Sequence, residues 1–230
     1  MSSPVENIHP LSGGVIQNLT DMLRRDISLG VFAPGTKLKI SHVQKEYAVS
    51  AASAREALSQ LSGEGYVQAV EQRGFFVTEM SEERLLDNAR VRAELEALGL
   101  IWSIARQTSE WRASVVSAHY LLQEAESALQ TSFRDNIIAW DERNREFHLA
   151  LVSNAGSPVL LEMIGARYDL TRRFRLQAYA VDLAENTALA RLQQSADEHA
   201  AIAEATLSLD AEQGAALLKA HISKNLLKSG

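Results

Sequence analysis

The chain has 230 residues, a formal net charge of −6, 46% hydrophobic and 23% charged residues, and no cysteine. That length holds one large or two modest domains of ordinary globular composition, and the missing cysteines exclude disulfides, thiolate catalysis and cysteine-ligated zinc. No apolar run reaches the ~20 residues of a membrane span and no signal-peptide core opens the chain, so a cytoplasmic protein with no membrane partner is expected.

In chain order, residues 1–11 predict a flexible tail. Val15, Leu19, Met22, Leu23, Ile27 and Leu29 fall at helical spacing and form one apolar stripe. Pro34-Gly35 is a turn signal, and Thr36-Lys37-Leu38-Lys39-Ile40 alternates as a half-buried strand does. Ser41 is placed to cap a short helix ending at Tyr47, and Ala48-Val49 makes a turn. Ser50 caps a second helix from Ala51 to about Ser62, ended by Gly63 and Gly65. Val67–Val70 and Phe75–Thr78 are β-prone, joined by the hairpin chemistry of Glu71-Gln72-Arg73-Gly74. Helix, turn, helix and two-stranded wing compose either a small α+β domain with no nucleic-acid role or a module that lays its second helix in a DNA major groove.

The residues Pro34-Gly35, Val49-Ser50, Arg55-Glu56-Ala57-Leu58, Glu64-Gly65-Tyr66-Val67 and Arg73-Gly74-Phe75-Phe76-Val77, in this order, resemble the winged helix-turn-helix of the GntR family of bacterial transcription regulators. The resemblance covers about residues 12–78, in a domain expected over 12–79. It implies double-stranded operator DNA as the partner, with Arg55 on the reading helix and Arg73 and Gly74 at the wing tip. One departure stands out. The family usually carries Ser-Arg before the reading helix, and here Ser50-Ala51 stands there, with Ala52-Ser53-Ala54 in place of a proline-containing step. An arginine-to-guanine contact discriminates by about 1–3 kcal/mol, so its loss bears on affinity or base preference. Lys45 and the helix start at Ser50, Ala52 and Ser53 can supply phosphate contacts instead. Residues 1–80 hold seven basic and eight acidic side chains, so any basic face is local. One subunit should bind weakly at physiological salt, and a homodimer is expected.

From Ser81, which can cap the next helix, the pattern is helical throughout. Helices are expected at about 82–106, 109–130, 134–153, 158–179, 187–208 and 210–227, with Ser109, Ser157 and Asp210 at helix starts and Pro158 at a first helical position. The expectation is a mainly α protein: a winged helix-turn-helix followed by an all-α bundle of about six helices over 81–228. Val91-Arg92 with Leu95-Glu96, Asn144 with Phe147-His148, His199 with Ile202, Ala205, Asp210 and Ala215, and His221 resemble the FCD effector-binding domain of FadR-like GntR regulators.

Of six histidines, three have suggestive spacing. His199 and His221 each lie 11 residues from Asp210, where the chain turns. In an antiparallel helix pair both stand at one level, ~16 Å from the turn. Asn144 and His148 are an i,i+4 pair on one helical face. Three imidazoles and an amide oxygen can thus meet at one point, a nitrogen/oxygen site for a divalent metal, zinc or nickel before calcium or magnesium. A single histidine in such a place is more often a hydrogen-bonded core residue. The family pattern has aspartate where Asn144 stands, so this site lacks one negative charge. Asp141 is expected to face elsewhere on the helical wheel. Arg92 either projects into the cavity to pair a small carboxylate-bearing effector or bridges Glu96 on the helix surface. The run Arg172-Arg173-Phe174-Arg175 lines a pocket, contacts DNA or forms a solvated face.

The reading that unites these features is a DNA-binding transcription regulator, read as a repressor, whose helical domain dimerises, holds a metal and binds an organic acid. Two rivals are a helical metal-dependent hydrolase with an accessory winged domain and a metal-free helical sensor. Against the hydrolase, the sequence has no His-Glu-x-x-His, and Glu146 and Glu198 adjoin histidines as helical neighbours pointing about 100° apart.

Overall fold

The computed structural model describes residues 14–28, 30–79, 81–184 and 188–224, with side chains at 82, 134, 173, 174, 177–184, 188 and 189 excepted. The expected tail at 1–11, Leu29 and the helix end beyond 224 lie outside the described residues. The fold is mainly helical and divides into two compact units on either side of Glu79.

The first unit runs α1 (Val15–Ser28), β1 (Lys37–Leu38), α2 (Ile40–Tyr47), α3 (Ala51–Gly63), β2 (Val67–Val70) and β3 (Gly74–Val77). Its three strands form an antiparallel sheet in the order β1-β3-β2. Leu19, Leu23 and Ile27 of α1 close over Leu58 and Leu61 of α3, with Leu38, Val43, Val67 and Val77 completing the core. Val15 and Met22, placed on the apolar stripe by spacing, are exposed instead. The expected strand from Thr36 to Ile40 shrinks to two residues, because Ile40 already begins α2. Ser41 therefore does not cap that helix. Lys39 occupies the cap position and contributes no side-chain bond. Ser50 does cap α3, accepting from the Ser53 amide at 3.0 Å.

The second unit consists of α4 (Glu82–Arg106), α5 (Ser109–Thr131), α6 (Phe133–Val152), α7 (Pro158–Ala184), α8 (Ala188–Leu207) and α9 (Ala211–Lys224). Ser81 caps α4 through the Arg84 amide, and Asp210 bonds the Gln213 amide at the start of α9. Helix α5 begins at Ser109 as expected, and Thr108 caps it by accepting from the Trp111 amide. Helix α4 packs on α6, α7 and α9, and α5 on α6 and α8, while α8 and α9 form a hairpin. Gly99 permits the close approach of α4: a Cβ there would stand 3.0 Å from Val152 and 3.2 Å from Ile164. The fully buried Trp140, Phe147 and Tyr168 fill the centre, beside a set of polar side chains that are also almost wholly removed from water.

Candidate metal centre and nucleic-acid surface

His148 of α6, His199 of α8 and His221 of α9 are all buried, and a ligand nitrogen from each lies within 4.8 Å of the other two. The α8–α9 hairpin does this for two of them. Its equal arms bring His199 Nε2 to 3.2 Å from His221 Nε2. Two ligands on one ion at about 2.0–2.1 Å stand about 3 Å apart at ordinary coordination angles, so the pair is already spaced as neighbours in a coordination shell.

Each imidazole is backed by a carboxylate on a different helix. His148 Nδ1 lies 2.6 Å from Glu96 Oε2 on α4, His199 Nδ1 2.8 Å from Glu126 Oε1 on α5, and His221 Nδ1 2.8 Å from Glu198 Oε2 on α8. An ionised carboxylate only accepts, so each Nδ1 carries the proton and donates it. Each Nε2 is left with its lone pair. Carboxylate-backed histidines of this kind orient the ring and raise its basicity as a metal ligand. Burial, outweighing Glu96, holds His148 down at about 4, and burial with the neighbouring His199 holds His221 at about 3. These two rings are neutral at physiological pH, as a metal ligand must be. Burial pushes Glu96 upward, but Arg92 and His148 outweigh it and bring its carboxyl to about 2. The hydrogen bond from His221 does most to lower Glu198, also to about 2.

Asn144, one turn before His148 on α6, is buried. Its Nδ2 donates to the Tyr168 hydroxyl at 2.8 Å, while its Oδ1 has no hydrogen-bond partner among the described residues. An orphaned buried oxygen costs roughly 1–3 kcal/mol unless something fills the place. The residues therefore fit a divalent ion: three lone-pair nitrogens and an unsatisfied amide oxygen. Asn144, His148 and His221 line one cavity of about 10 Å³ together with Arg92, Trp140, Arg175, Ser195 and Ile222. That is room for a single water or ion.

Arg92 both faces the cavity and meets Glu96. It does pair with Glu96, but the pair is buried, not on the helix surface. It also lines the cavity, with its guanidinium 4.1 Å from the Tyr168 ring centre. Arg172 and Arg175 overturn the solvated-face reading, because both turn inward and pair with Asp141. Asp141, expected to face elsewhere on the wheel, is fully buried, where it pairs with Arg175. Arg175 further donates to the Tyr168 hydroxyl at 3.1 Å. Arg173 and Phe174 have no described side chains. Glu198, passed over as a helical neighbour of His199, serves His221 on the other arm of the hairpin. Glu146 is exposed and pairs with Arg143. Arg175 lines the cavity, as the pocket alternative for its run had it, whereas Glu126, Tyr168 and Ser195 carried no spacing signal, since each meets the site across a helix–helix contact.

In the first unit, Lys45, Ser50, Ala52, Arg55, Arg73 and Gly74 are exposed and Ser53 is half-buried. Ala54, Ala57, Leu58 and Leu61 anchor the inner face of α3, leaving Arg55, Glu56 and Ser59 outward. Ser50 spends its hydroxyl on capping, so the amides of Ala51 and Ala52 are the ones left at the helix start.

A family model described as FCD domain matches residues 87–224, and one described as bacterial regulatory proteins, gntR family, matches residues 16–77. The chain is 34% identical over 205 residues to the HTH-type transcriptional repressor GlaR of Escherichia coli (strain K12), covering 87% of this chain and 89% of that one. It is 33% identical over 227 residues to the HTH-type transcriptional regulator BphR of Paraburkholderia xenovorans (strain LB400), covering 97% and 86%. Among solved structures, E. coli McbR/YncC superposes with a TM-score of 0.71 at 22% identity, over 93% of this chain and 95% of that one, a likeness of fold.

Proposed function

Because the chain belongs to the gntR family of bacterial regulatory proteins and carries an FCD domain, it is a DNA-binding transcription regulator and not an enzyme, and we propose that its helical unit is a metal-dependent sensor of a small organic acid. In this reading His148, His199, His221 and Asn144 hold one divalent ion, zinc or nickel. The observation that carries it is the convergence of three imidazoles whose Nδ1 atoms are each committed to a carboxylate. Bound there, the ion supplies a Lewis-acidic point for a carboxylate. Arg92, with Arg175 beside it, supplies a second charge for the same anion.

The cavity bears on how the effector acts. At about 10 Å³ it has no space for an organic acid with the side chains as they stand. Entry requires Arg92 or Arg175 to move, which either strips Arg92 from Glu96, the α4 carboxylate that holds His148 of α6, or breaks the Arg175–Asp141 pair that ties α7 to α6. An effector that prefers the rearranged bundle shifts the population toward it, and one with equal affinity for both arrangements shifts nothing. The protein is read as a repressor acting as a homodimer on an operator with two half-sites.

Elemental analysis of purified protein and of His148→Ala, His199→Ala and His221→Ala tests the metal. About one ion per chain is expected in the parent and a loss in each variant. An operator isolated by in vitro selection, titrated with and without a panel of dicarboxylates and hydroxy acids, tests the sensor. An acid that changes operator affinity in the metal-loaded protein and not in the stripped protein is the expected result. Equal responses in both would remove the metal from the mechanism.

A further inference from the structure

Asn144 has two different ends to offer the cavity, and only one of them suits a cation. An amide carries an oxygen and a nitrogen of similar size, and a half-turn about Cβ–Cγ exchanges them. The oxygen accepts; the NH2 group only donates. A carboxylate in the same place would face no such choice, because its two oxygens are equivalent. Here the choice is made from behind. Asn144 Nδ2 donates to the Tyr168 hydroxyl at 2.8 Å, and Arg175 Nη2 donates to the same oxygen at 3.1 Å. Oδ1 is thereby turned the other way, with no hydrogen-bond partner among the described residues. Tyr168 is fully buried, and burial keeps its hydroxyl protonated and neutral, so that it can accept both bonds.

The tyrosine is itself held in place. The guanidinium groups of Arg92 and Arg175 lie over its ring, 4.1 and 4.6 Å from the centre. Arg175 is fixed in turn by Asp141, three residues before Asn144 on α6. The polar chain thus leaves α6 at Asn144, crosses to α7 through Tyr168 and Arg175, and returns to α6 at Asp141. Turned about, the amide would bring its N–H groups to a cavity lined by Arg92 and Arg175, which also only donate. We propose that Tyr168 is a positioning residue of the metal centre, whose hydroxyl, held by Arg175, locks the Asn144 amide with its oxygen toward the ion. The lock rests on the reading of Asn144, His148, His199 and His221 as the holders of one divalent ion.

The test is a double-variant cycle on the full-length protein, read as zinc affinity by competition with a chromophoric chelator. Tyr168→Phe removes the hydroxyl and keeps the ring. In the parent it should weaken zinc binding by about tenfold, the scale of a lost hydrogen bond behind a ligand. In Asn144→Asp, whose side chain shows an oxygen to the cavity in either orientation, the same change should cost no more than about twofold. If Tyr168 serves only the packing of the bundle, both backgrounds lose alike. That result, or an unchanged affinity in the parent, overturns the lock. Should Tyr168→Phe fail to fold for the space its oxygen leaves, 4-fluorophenylalanine in place of Tyr168 fills that space, hardly accepts a hydrogen bond, and is compared in the same two backgrounds. A parent protein that binds no zinc sinks the metal centre and the lock together, a result distinct from failure of the lock by itself.

Discussion

Asn144 is the residue on which the metal proposal is most exposed. It offers an amide oxygen with no hydrogen-bond partner among the described residues, yet would bring no charge to an ion held by three imidazoles, two of them kept neutral by burial. Asn144→Asp should tighten divalent-ion binding by about tenfold or more, read by competition with a chromophoric chelator. If that variant leaves affinity unchanged while the histidine variants lose metal, Asn144 is not a ligand. The histidines also set an acid limit on the metal-free protein. Unfolded, they take up protons as the pH falls through about 6.5. Folded, burial withholds that proton until about 4 at His148 and about 3 at His221. The unfolded chain thus binds more protons across this window, and stability declines as pH drops from 6.5 toward 3–4. Glu96 continues the trend lower down, since its folded carboxyl, held at about 2, resists protonation below the ordinary 4.5. The thermal midpoint of chelator-treated protein should therefore fall as pH is lowered from about 7 to about 5, and His148→Gln should flatten the fall. A parent protein with a level profile across that range would contradict the burial of neutral histidines.

At the scale of the element, what the sequence disclosed and what it concealed follow one physical line. The α8–α9 hairpin was legible because two antiparallel helices share a fixed rise, so equal distances from Asp210 put His199 and His221 at one level. Asn144 and His148 were legible because i,i+4 is a local rule. Glu126, Glu198 and Tyr168 were not, because no spacing within a helix states which neighbouring helix it will face. Local capping rules failed for a related reason at Ser41: β1 ends early, pairing only Lys37 and Leu38, and the helix starts before the serine. The turn that follows offers a test. Helices α1 and α3 end with Gly30 and Gly65 in the left-handed region, closed by back-bonds from Val31 to Asp26 and from Tyr66 to Leu61. Helix α2 closes in the same way, from Val49 to Gln44, but with the exposed Ala48 at φ 53°. A left-handed L-residue costs about 1–2 kcal/mol, against about 0.4–1 kcal/mol for the extra freedom of glycine in the unfolded chain. Ala48→Gly should stabilise the first unit by about 0.5 kcal/mol, measured by denaturant titration. A destabilisation would mean that the Ala48 methyl makes a contact of more value than the strain it imposes.

At the scale of the whole molecule, the second unit leaves an apolar face uncovered. Val91, Leu95, Leu98 and Trp102 recur at helical spacing along α4, and Val91, Leu98 and Trp102 are each about two-fifths exposed. On α7, Val159 and Met163 are exposed as well, and Val91, Leu95, Met163 and Ala166 line a groove flanked by Glu162 and Arg167. Exposed apolar side chains gathered on one face and rimmed by charged residues mark an interaction site. Opposite charges on one helix suit a two-fold axis, across which Glu162 of one copy meets Arg167 of the other and each reciprocates. We propose this face as the contact of the homodimer expected of the regulator. An interface of ordinary size hides about 800 Å² per partner, and its centre tolerates little uncompensated charge. Met163→Glu combined with Val91→Glu should give monomers at tens of micromolar in sedimentation experiments, with helix content unchanged, since both side chains already stand in solvent in the single chain. The same double variant should lose operator affinity by far more than it loses affinity for one half-site, because two linked heads bind with an effective concentration that a single head lacks. A dimer that survives both charges moves the contact off α4 and α7, and unaltered operator binding by a proven monomer would show that one winged head is sufficient.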